Sequence, residues 1–286
     1  MPQKLSTKLY HVFRSPAKYV RAAWHWKRLI FNDAPPIFAN AKPKSGSHLL
    51  LQVMKGICEI APYAYVAADP VRTIRADGGR HADRHILADL KAVRSGVISW
   101  GYVDATPKNT AFLCQPERVN YFIYRDPRDM LVSHIYFATD MHTSHGMHDY
   151  YMGLQSFEER LNIAINGIKT DNLFMVNVRE RYTGVFEWLE KPLVMCIRFE
   201  ELVDKQEATL GLMLDQIEKT GYHIPTSRNE SLEILMNAIQ PSKSHTFRSG
   251  KTGGWRQHFT PANKATFKEV AGDLLIHLGY EKNNDW

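Results

Sequence analysis

The chain has 286 residues, of which 44% are hydrophobic and 23% charged, and a formal net charge of +6. That length can bury a sizeable core in one α/β domain or at most two small ones, one being favoured, and the composition excludes a disordered, low-complexity or repeat protein. Cys58, Cys114 and Cys196 lie far apart with no C-x-x-C pair, and neither a membrane-length apolar run nor a secretory signal core is found, so a soluble, cytoplasmic protein in a reducing compartment is expected.

The first residues are basic and aromatic. Lys4, Lys8, Arg14, Lys18, Arg21, Lys27 and Arg28 interleave with Tyr10, Phe13, Tyr19, Trp24 and Trp26. A membrane-surface helix or a partner arm would fit this pattern, but a peripheral helix packed on the domain is favoured. Residues 1–34 are read as that segment and 35–286 as the domain. Positive charge alone would admit nucleic acid; no helix-turn-helix, zinc-finger or RNP signature accompanies it, so no nucleic-acid partner and no membrane insertion are expected.

An apolar strand over Ile37 to Ala41 runs into Pro43-Lys44-Ser45-Gly46-Ser47-His48 and then into a helical stretch over Ser47 to Ile60. A strand, a small flexible loop and a helix N-terminus make an anion site, because backbone N–H groups turn inward, the helix dipole adds partial positive charge and Lys44 adds a full one. The loop is not a Walker A sequence. Gly250-Lys251-Thr252 matches one only in part, since His245 stands where its first glycine should be.

Further along, strands are expected over Val97 to Trp100, Val119 to Tyr124 and Leu193 to Ile197. Helices are expected over Ala82 to Val93, Arg128 to Ala138, Phe157 to Ile168, Val178 to Leu189, Glu200 to Thr220 and Pro261 to Leu278. Apolar β-forming runs that alternate with helix-periodic stretches predict an α/β fold, a parallel sheet of about four or five strands flanked by helices. His81 and His85 have i,i+4 spacing that could hold a metal, but with no third ligand in view a solvent-facing pair is favoured. His142 to Gly153 reads as irregular, and Asn237 to Gly254 as a long surface loop with a functional role.

Three segments together carry a resemblance. Pro43-Lys44-Ser45-Gly46-Ser47 resembles the P-K-S-G-T loop of sulfotransferases that use 3′-phosphoadenosine 5′-phosphosulfate (PAPS), Arg125-Asp126-Pro127-Arg128-Asp129-Met130-Leu131-Val132-Ser133 resembles their R-[ND]-P-[KR]-D-x-x-[VL]-S segment, and Phe247 to Thr260 is similar to their F-R-K-G-x-x-G-D-W-K-N-x-F-T block. They occur in family order and spacing, and the resemblance covers roughly Pro35 to Tyr280. It implies a P-loop-like sulfotransferase fold and sulfuryl transfer from PAPS to a hydroxyl or amine of a small molecule, with a natural product as one candidate acceptor.

The resemblance also implies roles. Lys44 would stabilise the departing phosphate oxygen, with Ser45, Gly46, Ser47 and His48 as donors to the 5′-phosphate. Arg125 and Ser133, with Arg248, Ser249 and Gly250, would grip the 3′-phosphate, and Phe199 would stack on adenine where many relatives have Tyr. For Lys44 the blander reading is a solvated turn lysine, and for Arg125 a salt bridge with Asp126 or Asp129; Arg128 and Asp129 are read as helix-start charges. The chain departs from the pattern at Ser249, Gly254 and Leu49, where the family has a basic residue, Asp and, often, Trp.

The usual catalytic His is also missing, with Gly101 in its place. Asp104 is the first substitute as base, against an even reading as a loop-capping residue, and His48, His81, His85 and His134, which follows Ser133 in the second motif, are the imidazole alternatives. No metal is required for such chemistry, and a homodimer is left open. A nucleoside-triphosphate phosphotransferase lacks its P-loop spacing here, while a non-catalytic PAPS-binding module remains the alternative function.

Overall fold

The computed structural model describes residues 16–74, 79–244 and 250–286. Its centre is a sheet of parallel strands: β1 (Ile37–Ala41), β2 (Tyr65–Val66), β3 (Val71–Arg72), β4 (Val97–Tyr102), β5 (Val119–Tyr124) and β8 (Val194–Arg198), while β6 (Ile168–Lys169) and β7 (Phe174–Met175) form a separate antiparallel pair. The spatial order is β2-β4-β1-β5-β8, with β3 also pairing with β4. Every residue of β1 and β5 is buried, as a strand covered on both faces requires. The sheet is the expected parallel one, enlarged to six strands by the two-residue β2 and β3.

Side chains alternate between two cores. Ile37, Ala39, Tyr121 and Ile123 face α1 (Ser47–Ile60) and its neighbours, whereas Phe38, Phe122 and Tyr124 face the opposite layer. Because β1 is central and all six strands run the same way, the C-terminal ends of β4, β1, β5 and β8 open onto one edge of the sheet. In open α/β sheets this is the edge that receives ligands.

The remaining helices are α2 (Asp83–Lys91), α3 (Pro107–Leu113), α4 (Pro127–Tyr136), α5 (His148–Gly153), α6 (Phe157–Asn166), α7 (Val178–Leu189), α8 (Phe199–Asp204), α9 (Gln206–Glu218), α10 (Arg228–Ala238), α11 (Pro261–Ala271) and α12 (Leu274–His277). The expected helix over Glu200 to Thr220 breaks at Lys205, whose φ of −130° and ψ of 46° are not helical. Likewise Gly272, at φ 57°, ends α11, so the expected single helix to Leu278 divides. His142 to Gly153 is less irregular than expected, since its second half forms α5. Part of the expected long loop is helical too, because α10 runs on through Ala238.

Residues 16–25 are helical. Trp26 donates its indole N–H to the Cys58 carbonyl at 3.2 Å, and Ala22, Phe31 and Ala64 bury one another. Cys58 lies at the C-terminal end of α1, so this contact is at the far end from the loop that opens that helix. The segment therefore packs at the end of α1 remote from that loop. Among the described residues no helix is long and apolar enough to cross a membrane.

Arg128 and Asp129 stand in the first turn of α4, as helix-start charges do, but both are buried anchors. Arg128 is only 2% exposed; it meets Asp126 at 2.7 Å and Glu281 at 2.6 Å, and its guanidinium lies 3.9 Å from the Trp255 ring and 4.6 Å from the Trp286 ring. One side chain thus ties the start of α4 to the C-terminal block. Arg128→Ala would leave the buried Asp126 carboxylate without its counter-charge, and is expected to cost about 3–5 kcal/mol. Urea unfolding should show a lower midpoint with little change in slope.

Candidate active site

The loop between β1 and α1 is bent by two residues in the left-handed region, Lys44 at φ 64° and Gly46 at φ 95°. Glycine is required at the second, because a Cβ there would stand 2.5 Å from Phe199 Cδ2 and 3.2 Å from Ile123 Cδ1. α1 starts with no side-chain cap and no acidic residue in its first turn, which leaves its first N–H groups to an outside acceptor. Ser45 is fully buried, and its Oγ has no hydrogen-bond partner of ordinary geometry; the neighbouring Tyr182 hydroxyl donates to the Arg125 carbonyl at 2.9 Å instead. Ser47 Oγ is 3.0 Å from the Tyr102 hydroxyl at the end of β4, a partner that the motif alone did not suggest.

Arg125 emerges from the end of the adjacent β5. Its guanidinium lies 4.3 Å from the centre of the Phe199 ring, and Nη2 donates to the Lys251 carbonyl at 3.0 Å. Asp129 Oδ2 is 3.7 Å away, so the salt bridge weighed from the sequence exists but is long. Arg125 Nε is shielded from solvent and has no partner among the described residues. Asp129 gives its oxygens to the backbone N–H groups of Gly253 and Trp255, at 2.8 Å each. The second and third motifs are therefore locked together by one carboxylate, with Gly250, at φ 62°, beside the junction. Arg248 and Ser249 lie outside the described residues.

Phe199 is buried between Gly46 and Arg125, so one face of its ring is already covered by a guanidinium. Ser133 is half-buried in α4. His48 stands in the first turn of α1.

On the other flank, Lys44 Nζ sits 3.7 Å from the centre of the Phe137 ring. Phe137 reaches it from a π-helical turn, Phe137–Met141, that prolongs α4. Burial, helped by the charge of Arg125, lowers the Lys44 pKa to about 8. His134 Nε2 is shielded and has no partner among the described residues, with its ring 5.3 Å from that of His145 and 5.9 Å from that of Tyr151. Burial, then the charges of Arg181, His145 and Lys44, hold this imidazole well below the usual histidine range.

Asp104 lines a cavity of about 240 Å³ together with Lys42, Arg72, Tyr102 and Trp188. Its Oδ2 is 3.0 Å from Arg80 Nη1, its side chain is 41% exposed, and its backbone N–H donates to Thr73 Oγ1. The structure thus brings Lys44, Ser45, Gly46, Ser47, Arg125, Phe199 and the backbone of Lys251 to one place, with His134 and Asp104 on separate elements around it. Tyr102, Phe137 and Arg181 were not found from sequence. Tyr102 could have been, since it ends a strand at the ligand edge, but nothing in the sequence announces the π-helical turn that aims Phe137. Among the described residues no group of three or more His, Cys, Asp or Glu side chains is placed to hold a metal ion.

The family model described as "Sulfotransferase domain" matches residues 121–279, more than half of the chain. The chain belongs to the sulfotransferase domain family. Solved structures of this fold superpose on nearly all of it. Mouse sulfotransferase SULT7A1 complexed with PAP is 17% identical, with 89% of this chain and 91% of that chain covered at a TM-score of 0.56. Retinol dehydratase, in complex with androsterone and the inactive cofactor PAP, is 13% identical, covering 91% of this chain and 85% of that one at a TM-score of 0.55. No curated protein sequence matches the chain.

Gly46→Ala should be costly for two additive reasons, the left-handed backbone and the displaced Phe199 ring. A loss of about 2 kcal/mol is expected, measurable as a lowered thermal midpoint.

Proposed function

We propose that this sulfotransferase transfers the sulfuryl group of PAPS to a hydroxyl or amine of a small-molecule acceptor. One observation carries the reading: Lys44 and Arg125, cations from two separate motifs, approach closely enough that one depresses the pKa of the other, beside an Arg125 Nε that has no partner among the described residues and a buried Ser45 hydroxyl that has none of ordinary geometry. Two like charges held together, beside polar atoms left unsatisfied, are unfavourable until an anion joins them. The PAP in the structures of SULT7A1 and retinol dehydratase supports a nucleotide bisphosphate as that anion.

Bound there, PAPS would supply an activated sulfuryl group. Lys44, Ser45, Gly46, Ser47 and His48 would hold its 5′ end, and Arg125 and Ser133, with Arg248, Ser249 and Gly250, its 3′-phosphate. Phe199 supports Arg125 from below, so any stacking on adenine uses the face the guanidinium does not cover. Lys44 places an ammonium where negative charge grows on the leaving group, and its partly dehydrated surroundings strengthen that attraction. His134 is the better candidate for the base. Its Nε2, in the tautomer protonated at Nδ1, presents a free lone pair, whereas Asp104 is ion-paired and well solvated. Asp104 then serves the loop, where its carbonyl accepts from Asn109 Nδ2 at 2.9 Å.

Transfer from labelled PAPS tests the reading. Lys44→Ala should lower turnover about a hundred- to a thousandfold, and His134→Ala should lower it far more than Asp104→Asn. A binding module would instead give saturable PAP association in calorimetry and no turnover with any acceptor. Absence of PAP association would remove the proposal altogether.

The pH profile is a second check. Lys44 is charged below its pKa and neutral above it, so PAP affinity and turnover should fall as pH rises through about 8, and Lys44→Arg should flatten that fall. His134 accepts a proton only when neutral; with its pKa held well below 6.5, turnover should not drop as pH is lowered to 6.5.

A further inference from the structure

Arg181 has no role in the mechanism above, yet this half-buried cation carries an unsatisfied donor. It projects from α7, and Nε donates to the Val176 carbonyl at 3.1 Å. Nη2 is shielded from solvent and has no hydrogen-bond partner among those residues. Nor does any carboxylate among them form a salt bridge with it. The groups whose negative form would interact with it are the phenols of Tyr151 and Tyr182, and both are committed: Tyr182 donates to the Arg125 carbonyl and Tyr151 to Met175 Sδ at 3.8 Å. Burial holds both phenols in their neutral form. A half-buried guanidinium with a shielded, unpaired Nη2 and no carboxylate beside it is a ready seat for an anion.

Lys42 repeats the pattern. It leads into the phosphate loop and lines the cavity of about 240 Å³. Among the described residues no acid lies within ion-pair distance of its Nζ, which is 6.0 Å from the centre of the Tyr182 ring. Asp104 attracts it across the same cavity but has Arg80 at 3.0 Å from its Oδ2. Arg181 lies about one turn before Gly184 and Val185, which line the cavity from α7, and its charge is felt by Lys42 as well as by His134 and His145. Arg72 adds a further cation to the cavity wall, stacked 5.0 Å from the Tyr102 ring centre.

We propose that the acceptor itself is an anion, a small hydroxylated or amino compound bearing a carboxylate or similar oxyanion, and that Arg181 and Lys42 receive that group while its nucleophile faces His134. The inference rests on the sulfotransferase reading and narrows its substrate class. Size agrees with it: the cavity is smaller than the roughly 300–1,000 Å³ of ordinary ligand pockets. A neutral phenol or sterol would leave Arg181 Nη2 as it stands, unpaired.

The test offers the full-length enzyme a panel of hydroxylated aromatic and aliphatic acids, each as the free carboxylate and as its methyl ester, with PAPS as donor. The carboxylate should be preferred in kcat/KM by about ten- to a hundredfold, the size of a charge-assisted hydrogen-bonded pair. Arg181→Gln and Lys42→Met should each reduce that ratio, and the loss should appear in the KM of the carboxylate rather than in the Kd for PAP. Equal or greater use of the esters by the wild type would overturn the proposal. So would a ratio that survives both substitutions, or an Arg181→Gln enzyme whose KM for PAPS rises while the ratio stays fixed, since that would make Arg181 a donor residue. Transfer to the esters alone would sink only this inference; no transfer to any member, with no PAP association, would remove the reading beneath it as well.

Discussion

Parallel pairing of β1 with β5, which sets Ala41 opposite Ile123, is the constraint on which the rest of the site depends. Neighbouring strands lie about 4.8 Å apart, so the loop that leaves β1 and the arginine that leaves β5 have to emerge side by side. A slip of one residue would turn Ile123 and Tyr121 out of their core and swing Arg125 to the other face. The positions of Lys44 and Arg125 are therefore set by apolar burial in the sheet beneath, not by any attraction between them. Hydrophobic packing is what holds two like charges together.

Carboxylates manage the resulting stress without cancelling it. Asp126 takes up Arg128, Glu200 accepts from the Asp126 backbone N–H and from the Tyr280 hydroxyl, and Asp129 divides its oxygens between two backbone N–H groups of the C-terminal block. With its strongest directions committed to Gly253 and Trp255, Asp129 stays 3.7 Å from Arg125 rather than closing on it. That division has two effects. It fastens a distant segment of chain to the site, and it leaves Arg125 incompletely neutralised, which is the condition an anion-binding arginine needs.

Much of the architecture was legible. The apolar runs gave β1 and β5 with their observed bounds and β4 and β8 nearly so, because strands buried on both faces read as nearly continuous apolar runs that a single Asn40 or Asn120 does not break. The P-K-S-G loop was readable as an anion site because glycine, small hydroxyls and lysine ahead of a helix N-terminus offer donors and positive charge and no competing acid. What could not be read depends on encounters across the fold. Nothing local says that Asp129 will meet Gly253, or that Arg128 will be enclosed by Trp255 and Trp286. The break at Lys205 has no glycine or proline to signal it, whereas α3 was within reach, for Thr106-Pro107 is a capping residue followed by a first-position proline. The ion pair of Asp104 with Arg80 is likewise not visible in one dimension.

The backbone at Lys44 has a consequence of its own. A side chain held at φ 64° gives up about 1 kcal/mol or more that glycine would not. This chain carries lysine there all the same, with its ammonium over an aromatic ring and partly out of water. Selection for robustness would push that position toward glycine and selection for chemistry away from it, so the loop records which pressure prevailed.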